Sequence, residues 1–213
     1  MRALIPCIAV IVAGSTPAYA QSNGAGQTGP RALLERAEEI VLARSAAPAG
    51  LSDSATVYVL AGARYEVAVE GTNGAACYVS RDWLSSIEPH CFDAEGATSI
   101  LPMAMRRVEL LHQGRTREEA DREIADGLLS GRFRLPARPV ISYMLSAAQK
   151  LVSDDGRAVG AWQPHVMIYY PYWTAAGAAG PHVMVSDAGR PTANLVIVVP
   201  TFIEPGRAAP ARR

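Results

Sequence analysis

Gly71-Thr72-Asn73-Gly74-Ala75-Ala76-Cys77 opens the stretch that decides the fold, and Glu88-Pro89-His90-Cys91-Phe92-Asp93 closes it. Between them runs a polar segment with Arg81, Asp82 and Trp83. A β-rich half precedes this stretch and a helical half follows it. Its cysteines are the ones that remain once an N-terminal signal is removed. Residues 1–20 read as that signal, with Met1-Arg2 as the positive end, Ala3 to Ala13 as the apolar run and Ala18-Tyr19-Ala20 as a small-x-small cleavage site. The run falls well short of the roughly 20 residues that a spanning helix needs. Leu4-Ile5-Pro6-Cys7 looks like a lipoprotein box but stands before the apolar run instead of after it. No later run reaches spanning length. The chain is therefore expected to be exported, periplasmic or secreted, and soluble, with no transmembrane segment after signal cleavage. In an oxidising compartment Cys77 and Cys91 are expected to pair; the alternative is two buried thiols. Closing that loop of about 15 residues contributes about 3 kcal/mol.

Charge and composition narrow the partners. Twenty basic residues balance twenty acidic ones, so the basic patch that a nucleic-acid partner requires is not expected. Of the basic residues only Lys150 is lysine. Nearly half the residues are apolar, enough for a proper core in one domain. Residues 21–29 read as a flexible leader, 30–203 as a single domain and 204–213 as a disordered tail. Gly24, Gly26 and Gly29 match G-x-G-x-x-G, but no strand precedes them and no βαβ unit follows, so the dinucleotide reading fails.

The elements follow from periodicity. Leu33, Leu34, Ala37, Ile40 and Val41 give one apolar stripe to a helix over 30–44. Thr56–Leu60, Arg64–Val69 and Ala75–Ser80 read as a three-stranded meander turned at Gly62 and at Gly71–Gly74. Two helices, 101–113 and 117–130, form an α-hairpin, the second opened by the capping box Thr116-Arg117-Glu118-Glu119. Val140–Leu145 is a strand or a short buried element, and Gln163–Tyr170, Val183–Ser186 and Asn194–Val199 are further strands, the last a β-branched run suited to burial on both faces. Ser153–Arg157 is a turn. The fold class is α+β. A mostly antiparallel sheet is covered on one side by the N-terminal helix and the hairpin, with one disulfide.

No motif carries chemistry. G-x-S-x-G, S-x-x-K, H-E-x-x-H and C-x-x-C are absent. Ser146 and Lys150 would pair catalytically only with the lysine desolvated. His112 suits a helix C-terminus. His165 and His182 both follow a proline at a strand start, in the echo Pro164-His165-Val166-Met167 and Pro181-His182-Val183-Met184. With His90, and with Asp93 or Glu88 as a fourth ligand, they are a candidate ligand or metal site of the N/O kind zinc accepts. Glu88 and Asp93 are the better carboxylate pair for acid–base work; Asp154-Asp155-Gly156 is a turn. Tyr170, Tyr172 and Trp173, extended by Arg81, Asp82 and Trp83 and by Trp162, are a candidate aromatic surface of the sort ligand sites use. For each, the plain alternative is structural: capped strand ends, solvated acids, anchored rings.

Gly71-Thr72-Asn73-Gly74 with Cys77, Pro89-x-Cys91-x-Asp93, Tyr143-Met144-Leu145-Ser146, Pro164-His165-x-Met167 and the final valine-rich strand resemble a group of exported bacterial proteins. The resemblance spans roughly residues 55–200. It implies that the cysteine loop and the His165 strand belong to one architecture. It brings no activity, cofactor or catalytic residue. The leading expectation is a non-enzymatic binding module for a small molecule or protein ligand, its cofactor unknown. The rivals are a metal-dependent hydrolase using His90, His165 and His182, and a purely structural domain.

Overall fold

Alternation along one strand sets the layout of the whole molecule. In Ala76–Ser80 every residue is buried, with Cys77 and Val79 in one apolar cluster and Ala76 and Tyr78 in another. Since successive strand residues point to opposite faces, this sheet is covered on both. We describe residues 33–82, 86–150, 163–174 and 182–199 of a computed structural model. The signal 1–20, the leader 21–29, the 204–213 tail, Trp83, Trp162 and the 153–157 turn lie outside the described residues.

The elements are α1 (Arg36–Arg44), α2 (Ala49–Ser52), β1 (Thr56–Ala61), β2 (Arg64–Val69), β3 (Ala76–Ser80), β4 (Glu88–Phe92), α3 (Ala94–Thr98), α4 (Ile100–His112), α5 (Arg117–Leu129), β5 (Val140–Met144), β6 (His165–Tyr169), β7 (Val183–Ser186) and β8 (Asn194–Val198). They build an 8-stranded sheet in the order β2-β1-β3-β4-β5-β6-β8-β7. Only β1 and β3 run parallel; the other neighbours are antiparallel. The class is the expected α+β. The covering differs: α1 packs on the Cys77 face and the α4/α5 hairpin on the Tyr78 face.

Three local expectations change. The first is the meander. β1 and β2 form a hairpin, but β3 joins the other side of β1 in parallel. Gly71–Gly74 is accordingly a crossing rather than a hairpin turn. A Cβ on Gly71 would stand 2.1 Å from Thr56 N, so only glycine passes there. The second is β4, hidden by Pro89. The β4–β5 ladder holds only Cys91 and Phe92. The 4.0 Å Cα separation of Cys77 and Cys91 marks a non-hydrogen-bonded pair. Pro89, two residues away, therefore turns its missing N–H from β3 toward the side where the ladder has ended. The third is the α1 stripe. Glu39 and Ala43 are the buried residues and Val41 is 71% exposed, because Glu39 is drawn inward by Arg81.

The hairpin helices and the later strands agree closely with the sequence, whereas α1 begins at Arg36 rather than at residue 30 and the short α2 and α3 are not anticipated. Thr116 Oγ1 accepts from Glu119 N at 3.2 Å, and Thr116 N donates to Glu119 Oε2 at 2.9 Å, closing the capping box. β8 lies between β6 and β7, but its burial alternates, so one of its faces is covered less than the other. The Cys77–Cys91 disulfide joins directly opposed residues of β3 and β4. No helix among the described residues is long and apolar enough to cross a membrane.

Candidate functional site

The hairpin does not lie flat on the sheet. A cavity of about 360 Å³ separates them, near the lower end of ligand pockets. Its floor is sheet: Tyr78 and Ser80 of β3, Glu88 and His90 of β4, and Tyr169 of β6. Ile100, Met103, Ala104 and Arg107 of α4, with Asp121 and Ile124 of α5, form the roof. The segment joining β7 to β8 closes one side with Asp187, Arg190 and Thr192.

Strand alternation puts Glu88 and His90 on this floor together, since they are two residues apart on β4. Cross-strand pairing sets Ser80 beside Glu88 and Tyr78 beside His90. Around His90 the rings form a ladder, with centroids 5.4 Å to Tyr78 and 6.0 Å to Phe92. Phe92 in turn lies 5.8 Å from Tyr169.

The electrostatics are unusual. Glu88 is 8% exposed and its Oε1 has no hydrogen-bond partner. Burial, reinforced by the negative charge of Asp82 and opposed by Arg117 and Ser86, pushes its carboxyl up to about 8. His90 is 7% exposed; its Nδ1 lies 3.4 Å from Ser142 Oγ, and its Nε2 has no partner. Burial, and then His165, lower it to about 3, so the ring is neutral. The cavity thus holds a protonated acid and an uncharged base side by side. Burial works against the charge of Arg107, but Asp82, Asp121 and Asp187 outweigh it and raise its pKa. Arg107 lies 3.1 Å from Asp121 and 3.7 Å from Asp82.

The expected site residues disperse around this cavity. His90 and His165 occupy one cross-strand row, but Met144 stands between them on β5. His165 and His182 flank β8 at Val198: His165 pairs with it, and Val198 N donates to the His182 carbonyl. The strands on either side of β8 are parallel, so the echoed histidines share one end of the sheet with Val198 between them. Among the described residues, no group of three or more His, Cys, Asp or Glu is placed to hold a metal. Asp93 is occupied elsewhere. Its Oδ1 accepts from Gly96 N at 2.7 Å as the N-cap of α3, and its Oδ2 from Ile141 N at 3.2 Å. Glu88 and Asp93 therefore do not form a pair. His165 is buried, with Nδ1 3.0 Å from the Gln163 carbonyl, and burial lowers its pKa. His182 is exposed.

Of the aromatic surface, Tyr170 and Tyr172 are 58% and 55% exposed and Trp173 half-buried. They form a turn against the β7–β8 segment, where Tyr172 N donates to Arg190 O and Gly189 N to Trp173 O. They brace the cavity wall from outside. The rings that face the cavity are Tyr78 and Tyr169. These, with Arg107, Asp121 and Asp187, escape sequence reasoning, because topology alone assembles them; Asp82, named from the sequence as a possible extension of the aromatic surface, lines the cavity instead. One signal exists for the centre: Glu88 and His90 at i and i+2 share a face if Pro89 is accepted within a strand.

No protein-family model matches the chain, and no curated protein or solved structure is similar enough to place it.

Proposed function

We propose that this protein is an exported, non-enzymatic binding module that holds a small molecule in the cavity between the sheet and the α4/α5 hairpin. One observation carries the reading: two buried polar atoms, Glu88 Oε1 and His90 Nε2, belong to residues lining the same cavity and have no partner among the described residues. Leaving such groups unsatisfied costs about 1–3 kcal/mol each, a cost that a bound partner removes. Apolar residues of α4 and α5 opposite them supply the complementary wall. The disulfide and the signal-like residues 1–20 support export. The resemblance to exported bacterial proteins agrees with that address and adds no chemistry. No observation favours the hydrolase reading, since its three histidines are not gathered.

Native mass spectrometry of the protein isolated from its own cells tests the proposal. A bound small molecule is expected, and Ala104→Phe, which fills the cavity from α4, is expected to expel it. An adduct held equally by both proteins would move the site elsewhere. A wild-type protein free of any adduct and unresponsive to small-molecule libraries in thermal shift would end the binding reading.

A further inference from the structure

Resting on that reading, we infer that the ligand is a protonated primary amine with an apolar body, its ammonium set against Glu88 and His90 and its body against Ile100, Met103 and Ile124.

The lining is short of donors, not acceptors. Among the described residues Glu88 Oε1 and Asp82 Oδ1 have no hydrogen-bond partner. His90 Nε2 joins them as an acceptor when the ring proton sits on Nδ1, donating to Ser142 Oγ. Against these stand two donors, Arg107 Nε, already 3.7 Å from Asp82 Oδ1, and the proton of the Glu88 carboxyl, which an ammonium displaces. An ammonium brings three N–H donors and no acceptor, which matches the deficit.

The charge balance points the same way. Asp82, Asp121 and Asp187 line the cavity against Arg107 and Arg190, and both arginines are engaged by Asp121. A bound anion would meet three carboxylates and an uncharged imidazole. A bound cation would offset them and allow Glu88 to ionise. Among the described residues no three acidic, histidine or cysteine groups are placed for a metal ion, so the cation is organic. The apolar roof and the Tyr78 and Tyr169 rings take its body.

Binding is then linked to pH through Glu88. Around that carboxyl stand Asp82 and Ser86 from the β3–β4 connection, His90 on its own strand and Arg107 on α4. Arg117 and Asp121 on α5, Tyr169 on β6, and Asp187 with Arg190 before β8 complete the surroundings. Asp82 and burial hold the proton on; Arg117 and the Ser86 hydroxyl pull against them. An arriving ammonium displaces the proton, which leaves to solvent, so affinity rises with pH up to about 8.

Calorimetric titration of the oxidised full chain with phenethylamine, 2-phenylethanol and 3-phenylpropanoate, at pH 6 and pH 8.5, tests this. Phenethylamine is expected to bind at least tenfold more tightly than either analogue, and at least tenfold more tightly at pH 8.5 than at pH 6. Glu88→Gln is expected to abolish both differences. The pH comparison on the wild-type protein reads the same point without a variant. If the alcohol or the carboxylate binds as well as the amine, the ammonium inference fails and the binding reading stands. If none of the three binds, the inference fails as well, and the binding reading is then decided by the adduct in native mass spectrometry.

Discussion

The two faces of the central strands bury one carboxylate each, and treat it in opposite ways. On the α1 face, Glu39 is fully buried and saturated. Arg81 meets it through two hydrogen bonds of 2.9 and 2.8 Å, and Leu60 N donates at 3.0 Å. Ala43, Ala46, Val57 and Val79 belong to the apolar cluster buried on that face. On the hairpin face, Glu88 has an open oxygen and a cavity. Desolvation alone does not distinguish a structural group from a functional one; completeness of its hydrogen bonding does. A bidentate guanidinium makes a buried charge part of the architecture. An acid left uncharged and half-satisfied is a group waiting for something from outside.

The sharpest way to break this contrast is to remove one partner on each face. Arg81→Ala strands the Glu39 charge and should cost about 3–5 kcal/mol in chemical denaturation, with a matching fall in Tm. Glu88→Gln should cost under about 1 kcal/mol, since a neutral amide replaces a neutral acid of the same shape. Equal losses would show that the two carboxylates are not differently employed. Next in size is the cross-link on the α1 face. Cys77→Ala with Cys91→Ala should lower stability by about 3 kcal/mol. Free-thiol titration of the unfolded wild-type protein should find both cysteines blocked until reductant is added.

The smallest effect per step is the most diagnostic. Glu88 holds its proton up to about 8 when folded against 4.5 ordinarily, so its contribution is lost as pH rises through that window. His90 behaves oppositely: its folded pKa of about 3 lies below the ordinary 6.5, so stability is lost as pH falls through that range. Between 4.5 and 6.5 the two slopes cancel. Stability should therefore show a flat top there and fall on each side by up to about 1.4 kcal/mol per pH unit. Glu88→Gln should remove the alkaline limb and uncover the His90 slope, so that stability climbs from about pH 3 to pH 6.5 and stays level above. An unchanged alkaline limb in that variant would mean that Glu88 is ionised in the fold.

Much of the frame is written locally. The capping box at Thr116, the β-branched run of β8 and the pairing of two cysteines depend on neighbours in sequence or on compartment, and each can be seen in the residues. The site is not local. Glu88 and His90 become floor because β4 pairs with β3, Arg107 becomes roof because α4 crosses above, and Asp187 becomes wall because β8 lies beside β6. The misreadings have the same origin. Val41 looks like a core residue until Arg81, far along the chain, rotates α1 about Glu39. Asp93 looks like a ligand until its carboxylate is seen to cap α3 and hold Ile141.

The insertion of β8 between β6 and β7 has a consequence for the order in which the molecule is made. Most strands settle beside one already synthesised, β2 on β1, β4 on β3, and then β5 and β6 in turn. β7 has no such berth: it pairs with β8 alone and must wait for it. The segment between them is the wall that carries Asp187 and Arg190. Floor and roof can thus be assembled while the C-terminal strand is still missing, and the enclosure is sealed by the final step. A chain ending before Asn194 would keep its disulfide and its hairpin, and offer an open trough where the finished protein has a chamber.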